Sequence, residues 1–201
     1  MVDSKLKLPK LIKGFTLWEI VIILAIMAIL ANIGIPAMAS ITQKKRSEVI
    51  ARGIEDSFRF ARSEAMRQNS PVYVCGAFIK VNQMLQGCTT NNTTQSGWNK
   101  GVLVFTDYYD KGIYVSNNDV KLTKFESASI NSVKVVSKDL TYRVDPNSSI
   151  SSPKYPNDQF FCFDITQKIN GKDEKSILKL EKFGNGIYCT GESISQCAAG
   201  C

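Results

Sequence analysis

The sequence predicts an α+β protein in which a long N-terminal helix, part membrane stem and part amphipathic, packs on an antiparallel β-sheet domain. Three observations lead there. No residue from Ile20 to Thr42 is charged. The residues that follow place apolar side chains at helical spacing. Beyond Pro71 the chain breaks into short β-rich runs separated by Asn, Gly, Ser and Pro clusters.

The uncharged run comes first. At about 1.5 Å rise per residue it is long enough, as a helix, to cross a hydrocarbon core of roughly 30 Å. Residues 1–14 ahead of it form a basic leader, whose four lysines and one aspartate account for three of the seven net positive charges of the 201-residue chain. The predicted organisation is therefore a leader at 1–14, a transmembrane helix at 15–42, and an amphipathic helix half plus a β-rich domain at 43–201. Within the stem, Gly34-Ile35-Pro36 predicts a kink or a segment that melts readily, because Pro36 cannot donate to the helical ladder. A simple transmembrane proline kink is the plainer reading of the same residues.

In the amphipathic half, Ile50, Ile54, Phe58, Ala61 and Ala65 fall at i,i+3 and i,i+4 spacing. Arg52, Arg59, Arg62 and Arg67 fall mostly elsewhere on the wheel. The helix is expected to end near Asn69, since Pro71 biases its predecessor to extended geometry. The strand candidates are VYVCGAF, GVLVFTD, VKLTKFE, SVKVV, LTYRV, QFFCFDI, SILKLEKF and GIYC, with Asp145 to Asp158 as the long loop and Gly184-Asn185-Gly186 as a hairpin turn.

The six cysteines, Cys75, Cys88, Cys162, Cys189, Cys197 and Cys201, all lie beyond the apolar run. An even number on one side of a membrane anchor favours disulfides in an oxidising compartment over zinc, because the chain has no Cys-x-x-Cys pair and no histidine. Six cysteines allow 15 pairings. Proximity in sequence favours Cys75 with Cys88, Cys162 with Cys189, and Cys197 with Cys201.

The absence of histidine also removes the usual general base for Ser or Cys catalysis, and no carboxylate pair stands out. Gly184, Gly186 and Gly191 do not form a dinucleotide fingerprint. Asp107 to Gly112 lacks the ligand spacing of a calcium loop and reads as a polar turn. The expectation is a chain without catalysis, cofactor or metal.

One residue breaks the apolar pattern. Glu19 stands at the mouth of the run, and an acidic group in hydrocarbon costs on the order of 3 kcal/mol or more, so it asks for a cation. Lys13, six positions upstream, is on neither an i,i+3 nor an i,i+4 neighbour position. A cut between Gly14 and Phe15 would supply one, because the new α-amino group of Phe15 would sit four residues before Glu19. The competing cut follows Ala37-Met38-Ala39, an A-x-A pattern that would release a soluble protein starting at Ser40. Against it stand Glu19 itself and the amphipathic helix that continues straight from that point.

The leader ending in Lys13-Gly14, followed by Phe15-Thr16-Leu17-Trp18-Glu19 and the apolar run, resembles the prepilin leader of type IV pilins and type II secretion pseudopilins. The resemblance implies cleavage after Gly14 by a membrane peptidase, methylation of Phe15, and pairing of Glu19 with the N-terminal amine of a neighbouring subunit. It also implies that Pro36 sits by the helix region that loosens in assembled pili. Further along, Ala61-Arg62-x-Glu64-Ala65, the strand ending at Cys75, Trp98 and Gly101 before an apolar strand, and Asp107 closing it resemble the FimT, FimU and GspH group of minor pilins and pseudopilins.

That resemblance implies a minor pilin of the FimU kind, inserted in a bacterial inner membrane with a periplasmic domain and later carried in a pilus. Its implied partners are other minor pilins, the major pilin, the prepilin peptidase and the assembly platform. A pseudopilin of type II secretion and a DNA-binding pilin for competence are the alternatives. For the second, the resemblance points to alternating arginines after a glycine near the C-terminus, whereas the stretch from Lys182 to Cys189 has none. Lys168, Lys172, Lys175, Lys179 and Lys182 then read as a solvated strand face.

Overall fold

A computed structural model describes residues 15–79, 85–90, 97–107, 112, 114, 120–127, 133–169 and 171–201, with 33–41, 43–44, 99 and 120–127 described in backbone only. The leader, Gly14 included, lies outside the described residues. The chain divides into two compact units, Met1–Ile41 and Thr42–Cys201.

Helix α1 runs from Leu17 to Gln68. Thr16 caps its start, its Oγ1 accepting from the Glu19 backbone N–H at 3.3 Å, and the Thr-x-x-Glu spacing is that of a capping box. In the first unit the apolar side chains from Leu17 to Leu30 are exposed, Leu17 by 84% and Trp18 by 72%. Among the described residues no helix is long and apolar enough to cross a membrane. The side chains described in the run stop at Asn32, while the uncharged sequence continues to Gln43.

The far end of α1 closes with a Schellman arrangement. Asn69 takes a left-handed φ of 48°, its N–H reaching the Met66 carbonyl at 3.4 Å, and the Ser70 N–H reaches the Ala65 carbonyl at 3.3 Å. Asn is one of the few residues that tolerates that conformation, and Pro71 follows.

In the second unit Ile50, Ile54, Phe58, Ala61 and Ala65 are all buried, as their spacing predicts. Phe58 packs on Trp98, Tyr142 and Phe163 with ring centroids 6.4, 5.7 and 5.9 Å away. Trp98 sits in a short 3-10 turn, Gly97–Asn99, held close to strand β1 (Val72–Ile79). A Cβ on Gly97 would lie 2.7 Å from the Ala77 carbonyl oxygen, so glycine permits that approach.

The remaining strands are β2 (Leu85–Cys88), β3 (Gly101–Asp107), β4 (Val120–Ser127), β5 (Val133–Ser137), β6 (Thr141–Val144), β7 (Ile150–Ser151), β8 (Phe160–Ile169), β9 (Lys172–Glu181) and β10 (Gly186–Thr190). They form two antiparallel sheets where the sequence suggested one. The first has the order β4-β3-β1-β6-β7 with β2 added to β1, and the second the order β10-β9-β8-β5. One apolar core takes side chains from both sheets and from α1.

One further expectation needs correction. The long loop Asp145 to Asp158 contains β7, because Ile150 is buried and its N–H bonds the Lys182 carbonyl at 2.8 Å. The C-terminal tail, which has no readable pattern beyond its cysteines, forms a 3-10 turn at Gly191–Ser193 and a short helix α2 at Ile194–Ala198.

The tail also explains the disulfides. Cys75 bonds Cys88, the pairing proximity favours, but Cys162 bonds Cys201 and Cys189 bonds Cys197. The expected Cys162–Cys189 pair fails because β8 and β10 are separated by β9. Two strand spacings of about 4.8 Å place them beyond the roughly 7 Å that a disulfide can bridge. Each instead takes one cysteine from the returning tail. Replacing Cys162 and Cys201 by serine opens a loop of 39 residues and is expected to cost about 4 kcal/mol on the chain-entropy account, read as a lower denaturation midpoint of the oxidised chain.

The Tyr142 hydroxyl hydrogen-bonds Ser137 inside the core, and burial, the largest cause, pushes its pKa up to about 12 against an ordinary 10. The folded state thus favours the neutral phenol. Its contribution is fully present below pH 10 and is lost as the pH rises from 10 to 12, an amount on the order of 2–3 kcal/mol. Denaturation midpoints at pH 8 and above pH 11 check this, with Tyr142→Phe showing a smaller drop across that window.

Candidate functional site

The first candidate is the start of the stem. Phe15 and Glu19 are both exposed, four residues apart across the start of α1. Glu19 also adds favourable charge to the helix N-terminus. Among the described residues its carboxylate has no cationic partner; the positions of Lys13 and Gly14 lie outside them. Gly34 and Pro36 fall within the continuous helical backbone of α1, and their side chains are outside the description.

The second candidate is the motif Ala61-Arg62-Ser63-Glu64-Ala65, where the polar residues link α1 to the strands. Arg62, grouped by the sequence with the solvent-facing arginines, is half-buried under the β9–β10 turn. Its Nη1 donates to the Gly184 carbonyl at 3.1 Å, while Nε and Nη2 are buried with no hydrogen-bond partner among the described residues. Burial, then the nearby charge of Arg59, lowers its pKa. Gly184 has a φ of 110°, and a Cβ there would collide with the guanidinium at 1.4 Å. The glycine thus makes room for the arginine. Gly186 does the same for the Glu55 carboxylate, which a Cβ would approach to 2.6 Å.

This turn joins three elements. Besides Arg62, the Lys182 N–H bonds the Gln159 carbonyl at 2.9 Å, and the Lys182 carbonyl receives Ile150 of β7. Glu64 is buried on another side of the helix and accepts from Arg67 Nε at 2.8 Å and from Gln68, whose Oε1 in turn accepts from Thr106 of β3 at 3.3 Å. Arg62 therefore ties α1 to the second sheet, and Gln68, held by Glu64, ties it to the first. The sequence signal was available but faint: Arg62 follows Phe58 by one helical turn, on the buried side.

Asp107 closes β3 with its Oδ2 accepting from the Gly112 N–H at 2.9 Å, consistent with a polar turn, although 108–111 lie outside the described residues. No cluster of three metal-ligating side chains occurs among the described residues. Of the lysines assigned to a solvated strand face, Lys179 is buried instead. Its Nζ donates to the Ala199 carbonyl at 2.5 Å and lies 3.9 Å from the centre of the Phe160 ring, under the disulfide-tied tail.

The chain matches the family model described as type II transport protein GspH over residues 51–153, a range that contains the Arg62–Glu64 motif, Trp98 and Asp107. Among curated proteins it is 28% identical to the type IV wide pilus major component PilA4 of Thermus thermophilus, over 57% of this chain and 95% of that one. Among solved structures, the type IV minor pilin FimU of Pseudomonas aeruginosa aligns with a TM-score of 0.46 at 14% identity, over 76% of this chain and 93% of that one. The minor pseudopilin EpsH of the Vibrio cholerae type 2 secretion system aligns at 0.42 and 13%, over 72% and 97%.

Proposed function

We propose that this chain, which belongs to the type II transport protein GspH family, is a noncatalytic minor pilin that joins other minor pilins in a complex priming the assembly of a type IV pilus. The observation that carries the proposal is the stem. An apolar helix exposed from Leu17 to Leu30 needs lipid or neighbouring helices around it, and it precedes a disulfide-bonded domain suited to an oxidising compartment. The chain thus sits in the inner membrane by its stem, with residues 43–201 in the periplasm, until it enters the filament.

In this reading a prepilin peptidase cuts between Gly14 and Phe15 and methylates Phe15. Glu19 pairs with the amine of a neighbouring Phe15, and the segment around Gly34 and Pro36 loosens as the helix enters the filament. Arg62, and Gln68 held by Glu64, keep the amphipathic half of α1 attached to the sheets.

A second reading, a pseudopilin of type II secretion, is favoured by the description of the matching family. Deleting the gene in its host separates the two. Loss of surface pili and twitching with exported enzymes still secreted supports the pilus; lost secretion with intact twitching overturns it.

A further inference from the structure

We propose that this chain reaches its native cysteine pairing through a thiol–disulfide isomerase, a partner protein whose reactive dithiol exchanges a first, wrongly joined set of bonds. The proposal rests on the oxidising compartment argued above and not on the choice between pilus and secretion. The native set is nested. Cys162–Cys201 spans 39 residues and encloses the whole of Cys189–Cys197, which spans 8.

Sequence order favours a different set. As the domain enters the compartment amino end first, Cys162 is followed by Cys189, and Cys197 by Cys201. Those consecutive pairs, Cys162–Cys189 and Cys197–Cys201, also close shorter loops than the native 39 and 8 residues. In the unfolded chain loop-closure entropy alone favours them over the native set by about fivefold. Cys75–Cys88 is consecutive and native at once, so it needs no exchange.

The folded sheet and the consecutive set exclude each other. Cys162 stands opposite Lys179 of β9 and Cys189 opposite Ile177, so the two cysteines are separated both across the sheet and along it. Their Cα atoms are thereby held about 12 Å apart, beyond the roughly 7 Å that a disulfide bridges. The native bonds have the opposite requirement. The tail docks on the finished sheet, with Lys179 Nζ donating to the Ala199 carbonyl at 2.5 Å, and Cys201 then meets Cys162. A chain that oxidises before the sheet forms is held open, and it exposes to the isomerase the rows Phe161, Phe163, Ile165 and Leu178, Leu180 that the folded unit buries. Once the sheet has closed, Cys189 and Cys197 are 7% and 5% exposed, which shields their bond from further attack.

The first set is made by a dithiol oxidase of the compartment, whose own disulfide is reduced as each bond forms. The exchange that follows needs no net oxidant. The isomerase thiolate attacks Cys189 Sγ of the wrong bond, forms a mixed disulfide and releases the Cys162 thiolate. That thiolate attacks Cys201 Sγ, which makes the native Cys162–Cys201 bond and releases the Cys197 thiolate. Cys197 then attacks Cys189 Sγ in the mixed disulfide, which makes Cys189–Cys197 and returns the isomerase thiolate. Two disulfides enter and two leave.

The test recovers the full chain from a bacterial host with and without its disulfide isomerase, blocks free thiols, and maps cysteine-linked peptides by mass spectrometry. Without isomerase the Cys162–Cys201 and Cys189–Cys197 bonds should fall about fivefold and Cys162–Cys189 should appear in their place, with Cys75–Cys88 unchanged. Replacing Cys189 and Cys197 by serine, or Cys162 and Cys201, leaves only consecutive native pairs. Either double variant should therefore form its remaining bonds equally in both hosts, and one suffices where the other fails to fold. An isomerase whose resolving cysteine is replaced by alanine should trap a mixed disulfide with the wild-type chain and with neither double variant. Native bonds at one level in both hosts, or isomerase dependence kept by both double variants, overturns the inference alone. Six free thiols in both hosts overturn the oxidising compartment and the inference with it.

Discussion

Glu19→Ala should leave leader cleavage intact and reduce incorporation into filaments by at least about a hundredfold. The lone carboxylate at the mouth of an uncharged run has no cationic partner among the described residues of its own chain. A pair formed in the filament core is desolvated, and removing one partner of such a pair costs about 3–5 kcal/mol because the other is left buried and uncompensated. The structure adds a rival role, since Thr16 and Glu19 have capping-box spacing. Glu19→Gln separates the two. Glutamine keeps the box but not the charge, so assembly should fail in Glu19→Gln as in Glu19→Ala if the charge matters. Filaments carrying either variant at the wild-type level would remove Glu19 from the assembly mechanism.

Phe58→Ala should destabilise the Thr42–Cys201 unit by about 3–5 kcal/mol, the usual range for truncating a fully buried aromatic. Phe58 is the helix residue on which Trp98, Tyr142 and Phe163 converge, so its loss opens a cavity where α1 meets both the 3-10 turn and the second sheet. Thermal unfolding of the full chain in detergent should show a midpoint lower by roughly 10 °C. Arg59→Ala, one position away, is the control. Its pair with Glu55 at 2.7 Å is on a side chain 63% exposed, and its loss should change stability by less than about 1 kcal/mol. Equal shifts for the two variants would mean that the amphipathic face does not carry the packing.

What could be read from the sequence was local. The apolar spacing of Ile50, Ile54, Phe58, Ala61 and Ala65 chose the buried face of α1, and Asn69 before Ser70-Pro71 marked its end, because each signal lies within a few helical turns. The strands from Val72 and from Gly101 were legible for the same reason. Strand β2, with the sequence Leu85-Gln86-Gly87-Cys88, has no alternating pattern, and only the Cys75–Cys88 bond hinted at it. The division into two sheets was hidden because it depends on pairings far apart in sequence, such as Val72 of β1 with Val144 of β6.

The same limit explains the cysteines and Arg62. Neighbours in sequence are poor guides once β9 separates Cys162 from Cys189 and a returning tail supplies both partners. Arg62 looks like a surface arginine until the distant Gly184 carbonyl arrives over it, and the glycine then has a meaning that its turn alone did not require. The functional reading, by contrast, came from Gly14 to Glu19, a signal that is local in sequence.

The most direct test of the central claim is the intact mass and N-terminal sequence of the protein recovered from its host membrane. A chain that begins at methylated Phe15 and keeps its stem is expected. A chain that begins at Ser40 would contradict it, because Glu19 would then belong to a discarded segment and take no part in any filament.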